Sequence, residues 1–143
     1  MSVIRMDYNL YDDIVEYAKK HLPEEACGLL AGEETEDGRV IKKIYFLENT
    51  DHAADHFNID PKAQMEAIKD MRANGLKQLG NWHSHPESPS RPSQEDIALA
   101  YDSKASYMIL SLMAKHPVLN VFHIENGAWT KEDLRILSEE YYF

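Results

Sequence analysis

The 143-residue sequence has a single cysteine, no long uninterrupted apolar run and no excess of basic side chains. Because Cys27 stands alone, no internal disulfide can form, and nothing points to an oxidising compartment. The N-terminus lacks the apolar region of an export signal, and no stretch is long enough to span a membrane. We therefore expect a cytoplasmic protein with no membrane partner.

Acidic residues outnumber basic ones by 25 to 15, which gives a formal net charge of −10. Such a charge repels phosphate backbones and anionic lipids. A nucleic-acid partner is therefore not expected, whereas a protein with a basic face would be attracted.

The hydrophobic fraction of 43% is enough for one domain, residues 1–143, that buries a core without disulfides. Periodicity and turn residues predict strands at residues 3–6, 24–32, 39–47, 76–83, 106–112 and 118–124. Helices are predicted from Leu10 to a stop before Pro23, and from Asp60-Pro61 to Asn74-Gly75 with Met65, Ile68 and Met71 in the core. Mixed elements of this kind indicate an α/β (α+β) fold with helices around a central sheet.

Two parts of the chain stay open or unstructured at this level. After a tight turn at Asn126-Gly127, residues 130–141 fit either a helix that Thr130 caps or an edge strand. Residues 49–56 contain His52 and His56, but little supports a helix there. They predict an exposed loop, with a second metal site disfavoured, and the loop could edge a substrate groove.

The chemistry concentrates where the 76–83 strand ends. His83 and His85 are two residues apart, so a strand projects both imidazoles from one face. Pro86 and the proline-rich residues 87–92 then require a loop.

A short helix is predicted after this loop, at residues 94–101, with Ile97 and Tyr101 four residues apart. Ser93 is the natural N-cap, and Asp96 falls in the first turn. Two readings follow. Ser93 and Asp96 form an ordinary capping box beside two polar histidines, or Asp96 joins His83 and His85 as the ligand set of a catalytic zinc ion.

The combination His83-Ser84-His85-Pro86, six residues, then Ser93-x-x-Asp96 resembles the signature of the JAMM metalloprotease family, also called MPN-plus. The resemblance covers roughly residues 24–124. It implies a central mixed, largely antiparallel sheet flanked by helices, and one Zn²⁺ held by His83, His85 and Asp96 with a catalytic water.

Glu25 opens the predicted 24–32 strand, where pattern alone leaves two readings: the carboxylate faces solvent, or it is held inside for chemistry. The context Pro23-x-Glu25-x-Cys27-Gly28 resembles that of the family's general acid–base glutamate. The resemblance gives this role to Glu25 and makes Ser93 the hydrogen-bond donor to the developing oxyanion. Cys27 would share the face of Glu25; a small buried residue is the simpler reading, and a nucleophile or metal neighbour is the alternative.

Family members typically cut peptide or isopeptide bonds after the C-terminal Gly-Gly of ubiquitin-like proteins. This chain resembles the short, stand-alone prokaryotic members that process ubiquitin-like sulfur carriers. The alternatives are a zinc amidase on a small molecule and a non-catalytic protein-binding scaffold. The oligomeric state stays open.

Overall fold

One eight-stranded sheet organises residues 3–138, which are the residues that the computed structural model describes. The strands are β1 Val3–Asp7, β2 Cys27–Thr35, β3 Gly38–Leu47, β4 Lys77–His85, β5 Ser106–Ser111, β6 Val118–Glu125, β7 Ala128–Lys131 and β8 Asp133–Leu137. The helices are α1 Tyr8–Lys20, α2 Pro61–Ala73 and α3 Gln94–Ala98. No helix in this part of the chain is long and apolar enough to cross a membrane.

The sheet is mixed and mainly antiparallel, with the order β7-β6-β5-β4-β2-β3-β1-β8. Its centre is β4, which pairs antiparallel with β2 and parallel with β5. The parallel pairs β1–β3 and β1–β8 complete one side. The predicted fold class and sheet type are confirmed.

Both faces of the sheet are covered, because successive strand residues point to opposite sides. Leu30 and Trp82 belong to the core cluster that includes Ile14 of α1. Leu29 packs instead with Met71 of α2, on the other face. Since Trp82 faces α1, its neighbour His83 faces the side of α2.

A close approach of backbone and indole fixes the middle of the sheet. Trp82 is fully buried, and its Nε1–H donates to the Tyr45 carbonyl at 3.1 Å. The indole passes over Gly28, where an added Cβ would lie 1.7 Å from that carbonyl oxygen and 2.5 Å from Nε1. Only glycine leaves room for this contact.

Several predictions from the sequence hold in detail. Helix α1 ends before Pro23, and Asp60 caps α2 by accepting from the Ala63 N–H at 3.2 Å. At the β6–β7 turn, Asn126 and Gly127 both have positive φ, as a type I′ turn requires. The C-terminal segment, for which the sequence allowed either a helix or an edge strand, forms the edge strand β8 beside β1. Tyr141 lies outside the described residues.

The prediction that Met65 lies in the core is wrong. Its side chain is 54% exposed, because the buried stripe of α2 runs through Ala67 and Met71, one turn apart, and Met65 lies outside it.

The predicted 94–101 helix is also too long, since α3 ends at Ala98 and Tyr101 is 86% exposed. The Tyr107 hydroxyl accepts from the Asp102 N–H and donates to the Asp102 carbonyl. The first of these bonds takes the Asp102 N–H, which would otherwise bond to the Ala98 carbonyl at the end of a helix through Tyr101.

We expect Gly28→Ala to lower the free energy of unfolding by about 3 kcal/mol, because the new methyl group must displace the Tyr45 carbonyl or Trp82. Gly75→Ala is the control: Gly75 has φ +69 but open space, so only backbone strain of roughly 1 kcal/mol is expected. Urea denaturation of both variants measures the difference. Equal losses would contradict the proposed close packing at Gly28.

Candidate metal centre

His83 and His85 lie at the C-terminal end of β4, which pairs with β2 on one side and with β5 on the other. Cys27 pairs with His83, and His83 pairs with Ile109 on the other side. Beyond the last β2–β4 pair, the Ser84 N–H donates to the Ala26 carbonyl, and the Ala26 N–H donates to Ser84 Oγ. These bonds continue the register, so Glu25 lies opposite His85.

Asp96 reaches the same point from the start of α3. The Asp96 N–H donates to Ser93 Oγ at 3.0 Å, and the Ser93 N–H donates to Asp96 Oδ2 at 2.9 Å, so the capping box predicted from the sequence exists. The same Oδ2 lies 3.2 Å from His83 Nε2 and 3.1 Å from His85 Nε2. The capping reading and the ligand reading are therefore both compatible with this residue.

The three donor atoms form a nearly equilateral triangle, since the two Nε2 atoms are 3.0 Å apart. Ligands about 2.0–2.1 Å from a tetrahedral zinc ion are separated by about 3.3 Å. The triangle is close to one face of such a tetrahedron. Among the described residues, this is the one group of three histidine, cysteine or acidic side chains that could hold a metal ion.

The hydrogen bonding of His85 also suits a ligand. Its Nδ1 lies 2.8 Å from the Pro89 carbonyl, which can only accept, so Nδ1 carries a hydrogen, and a metal ion that replaced the proton on Nε2 would meet the lone pair of a neutral ring there. The carbonyl is held in place because Ser90 Oγ donates to the Ile109 carbonyl and Asn120 donates to Ser90 Oγ. The 87–92 loop thus fixes the imidazole.

His83 is held by packing. Its ring stacks on Phe57 with centroids 4.9 Å apart and planes at 29°, and its Nδ1 is buried without a hydrogen-bond partner among the described residues. Apart from the contacts of Nε2 with His85 and Asp96, packing on Phe57 is therefore what orients the ring.

The carboxylate of Asp96 is held in its charged form. Burial raises its pKa, but the hydrogen bonds with His83 and His85 outweigh burial and place the pKa well below its usual value. An ionised carboxylate beside two imidazoles whose Nε2 protons a metal ion can replace is a donor set that attracts a divalent cation.

Glu25 is buried, with 4% of its surface exposed, so the reading in which it faces solvent is wrong. Burial raises its pKa to about 8; the charge of His85 opposes this shift, and the negative charge of Asp96 adds to it. A perturbed carboxyl group beside a metal-ligand set is typical of a catalytic acid or base.

Ser93 lies at the exposed rim of the triangle. Its Oγ accepts the cap hydrogen bond, which leaves the hydroxyl hydrogen unused by the cap. The hydroxyl can therefore donate to a bound group without disturbing the helix.

The remaining candidates have structural roles. Cys27 is fully buried, its thiol donates to the Leu47 carbonyl at 3.5 Å, and burial raises its pKa to about 12, so it is no thiolate nucleophile. His52 is exposed and pairs with Glu24 at 3.0 Å and Glu48 at 3.8 Å, while the half-buried His56 pairs with Asp55 at 2.8 Å and Asp51 at 3.4 Å. Neither histidine belongs to a group of three possible metal ligands among the described residues.

Sequence reasoning missed three contributors: Asn49, Phe57 and the Pro89 carbonyl. Phe57 and Asn49 lie in a segment that reads as a plain loop, and a main-chain carbonyl carries no sequence signal. Asn49 is a turn-forming residue two positions after the end of β3, which was the one available cue. Beside His83 and Asp96, a cavity of about 60 Å³ is lined mainly by apolar side chains, among them Phe57, Leu99 and Ile109.

Curated relatives are similar over most of the chain. The CysO-cysteine peptidase of Mycobacterium tuberculosis is 30% identical over 138 residues, which cover 96% of this chain and 92% of the relative. A desampylase of Haloferax volcanii is 28% identical over 137 residues, covering 89% of this chain and 88% of the relative.

Solved structures agree with the fold. The solution structure of a Desulfitobacterium hafniense protein superposes with a TM-score of 0.87 at 41% identity, covering 95% of this chain and 94% of the other. The crystal structure of a JAB1/MPN domain protein from Archaeoglobus fulgidus gives a TM-score of 0.60 at 23% identity, covering 94% of this chain and 100% of the other. The family model for prokaryotic homologs of the JAB domain matches residues 8–125. The chain therefore belongs to the prokaryotic branch of the JAB domain family.

Proposed function

We propose that the protein is a zinc-dependent metallopeptidase that hydrolyses a peptide or isopeptide bond at the C-terminus of a ubiquitin-like or sulfur-carrier protein. The observation that carries the metal part is the triangle of His83 Nε2, His85 Nε2 and Asp96 Oδ2, with edges of 3.0–3.2 Å. Two neutral imidazoles and one carboxylate are a common protein ligand set for catalytic zinc.

The substrate class rests on the names of relatives. They include a CysO-cysteine peptidase, desampylases and a probable TtuB-protein conjugate cleaving protease from Thermus thermophilus. Each of these names describes cleavage at a protein conjugate or a carrier-linked residue. A hydrolase on such a conjugate is the activity that best joins these relatives to the site.

Zinc, when bound, lowers the pKa of a water molecule and polarises a carbonyl oxygen. In the proposed reaction Glu25 accepts a proton from the attacking water and returns it to the leaving amine, as the C–N bond breaks and a C–O bond forms. Burial raises the pKa of this carboxyl to about 8, and a divalent cation bound nearby would lower it, which favours the ionised form that accepts a proton.

Ser93 is proposed to donate its hydroxyl hydrogen to the oxygen that becomes negative as the carbonyl is attacked. The capping box holds this hydroxyl at the start of α3, beside Asp96. A donor fixed in this way needs little reorganisation during the reaction.

The overall activity is tested with several ubiquitin-like carriers extended beyond Gly-Gly, incubated with the zinc-loaded protein and followed by intact mass. We expect loss of the extension and no loss when a chelator is present. If zinc is bound and no carrier is cut, the peptidase proposal fails, and a small-molecule amidase becomes the next candidate.

Glu25→Gln should retain zinc but lower kcat by about 100-fold or more, because the amide cannot accept the proton. Glu24→Gln is the matched control: Glu24 is the adjacent residue, its carboxylate pairs with His52 outside the site, and near-normal turnover is expected. Turnover assays with metal analysis separate the two effects. Normal turnover of Glu25→Gln would remove Glu25 from the mechanism.

His85→Ala should lose both zinc and activity, because one of three ligand atoms is gone. His123→Ala serves as its control, since His123 pairs with Glu125 in β6, away from the triangle. Zinc content by mass spectrometry under native conditions is the measurement. Full zinc occupancy in His85→Ala would contradict the ligand assignment.

Ser93→Ala should lower kcat by about 100-fold or more with zinc still bound, whereas Ser93→Thr, which keeps a hydroxyl and a cap, should recover most of the activity. The lost cap alone costs about 1 kcal/mol of stability, so assays belong well below the melting temperature. A Ser93→Ala enzyme as fast as wild type would exclude the oxyanion role.

A further inference from the structure

The 49–58 loop crosses the candidate metal centre, and one side chain organises it. We propose that Asn49 is a positioning residue, whose buried carboxamide holds Glu25 and Phe57 together beside the two imidazoles. The consequence for turnover rests on the proposed function, whereas the consequence for the loop does not.

The carboxamide of Asn49 is 5% exposed and uses its full hydrogen-bonding capacity. Nδ2–H groups donate to the carbonyls of Glu25 and His56, each at 3.0 Å, with Ala53 O further away at 3.4 Å. Oδ1 accepts from the N–H groups of Asp51 and Asn58, each at 3.1 Å. Donors face carbonyls and the acceptor faces N–H groups, so the orientation of the amide is unambiguous.

Two of these bonds hold the main chain on both sides of Phe57. The His56 carbonyl belongs to the peptide group before Phe57, and the Asn58 N–H belongs to the peptide group after it. The Phe57 ring stacks on His83, 4.9 Å between centroids. His83 Nδ1 has no hydrogen-bond partner among the described residues, so the ring relies on this stack on that side. By holding Phe57, Asn49 therefore helps to orient the His83 imidazole.

Another bond holds the proposed base. Glu25 lies two residues before the start of β2, and both of its main-chain groups bond to the 49–58 loop: its carbonyl accepts from Asn49, and its N–H donates to the Ala53 carbonyl at 2.8 Å. The position of the Glu25 carboxylate therefore depends on this loop as well as on the sheet.

If Asn49 only stabilised the 49–58 loop, its replacement would leave the turnover of the folded protein unchanged. A positioning residue, in contrast, affects kcat, because small displacements of a catalytic group are costly. It leaves KM nearly unchanged, since Asn49 itself is buried and does not reach a bound substrate. The two roles are thus separable by experiment.

The first measurement needs no substrate: amide hydrogen exchange by NMR on Asn49→Ala and Asn58→Ala. Asn58 is exposed and bonds to Asn49 through its main chain, so Asn58→Ala is the matched control. In Asn49→Ala we expect about 10-fold or faster exchange at the amides of Glu25 and Asn58, with the β4 amides unchanged. Wild-type protection at both amides would overturn the proposal.

The second measurement is steady-state kinetics with zinc content. Asn49→Ala should lower kcat at least about 10-fold, with KM within about threefold and one zinc per chain, while Asn58→Ala behaves as wild type. If Asn49→Ala does not fold, Asn49→Asp replaces it: the shape and both acceptor bonds remain, but nothing donates to Glu25 and His56.

A folded Asn49 variant with normal kcat would refute the positioning role. If the wild-type protein cleaves no carrier, the proposed function fails by itself. The exchange rates at the amides of residues 25 and 58 then decide the inference about Asn49.

Discussion

The antiparallel pairing of β2 with β4 is the constraint on which the site depends. It places Cys27 opposite His83, and the Ala26–Ser84 hydrogen bonds continue the register, so Glu25 lies opposite His85. A shift of one residue would turn both imidazoles to the α1 face and Trp82 to the other. The Trp82–Tyr45 hydrogen bond over Gly28 resists such a shift, so the core and the candidate metal centre are set by the same contacts.

Local structure and chemistry share atoms at the start of α3. Asp96 Oδ2 accepts from the Ser93 N–H, as in any capping box, and also lies within 3.2 Å of both imidazole Nε2 atoms. The cap fixes the rotamer of Asp96 before any ion binds, so little side-chain entropy is lost on binding. Ser93 also has two uses: its Oγ accepts the cap hydrogen bond from the Asp96 N–H, while its hydroxyl hydrogen remains free to donate to another group. A five-residue helix is therefore enough to hold the carboxylate that we propose as the third ligand.

Two loops orient the imidazole rings that the sheet places at the triangle. The 87–92 loop supplies the carbonyl that fixes the tautomer of His85, and the 49–58 loop supplies the ring that packs on His83. A polar side chain holds each loop in place. The half-buried Asn120 donates to Ser90 in the 87–92 loop, and the buried carboxamide of Asn49 bonds to the main chain of the 49–58 loop and of Glu25. Buried polar groups that are fully satisfied give a specific geometry, which a catalytic site needs more than stability.

The sequence by itself determined the local features: the strand that projects His83 and His85 from one face, the cap at Ser93, and the type of nearly every element. These depend on periods and turn residues a few positions apart. It misjudged the burial of Met65, which depends on which residues pack against α2, and the length of the helix to Tyr101, where the hydrogen bonds of Tyr107 with Asp102 intervene. Only the tertiary structure decided that Glu25 is buried beside the imidazoles, that Oδ2 of Asp96 closes the triangle, and that Asn49 binds the main chain of Glu25. The physical reason is distance along the chain: Ala26 and Ser84 are 58 residues apart, and Glu25 and Asn49 are 24 apart. Contacts over such separations follow from strand register and loop path, which short-range periodicity does not encode.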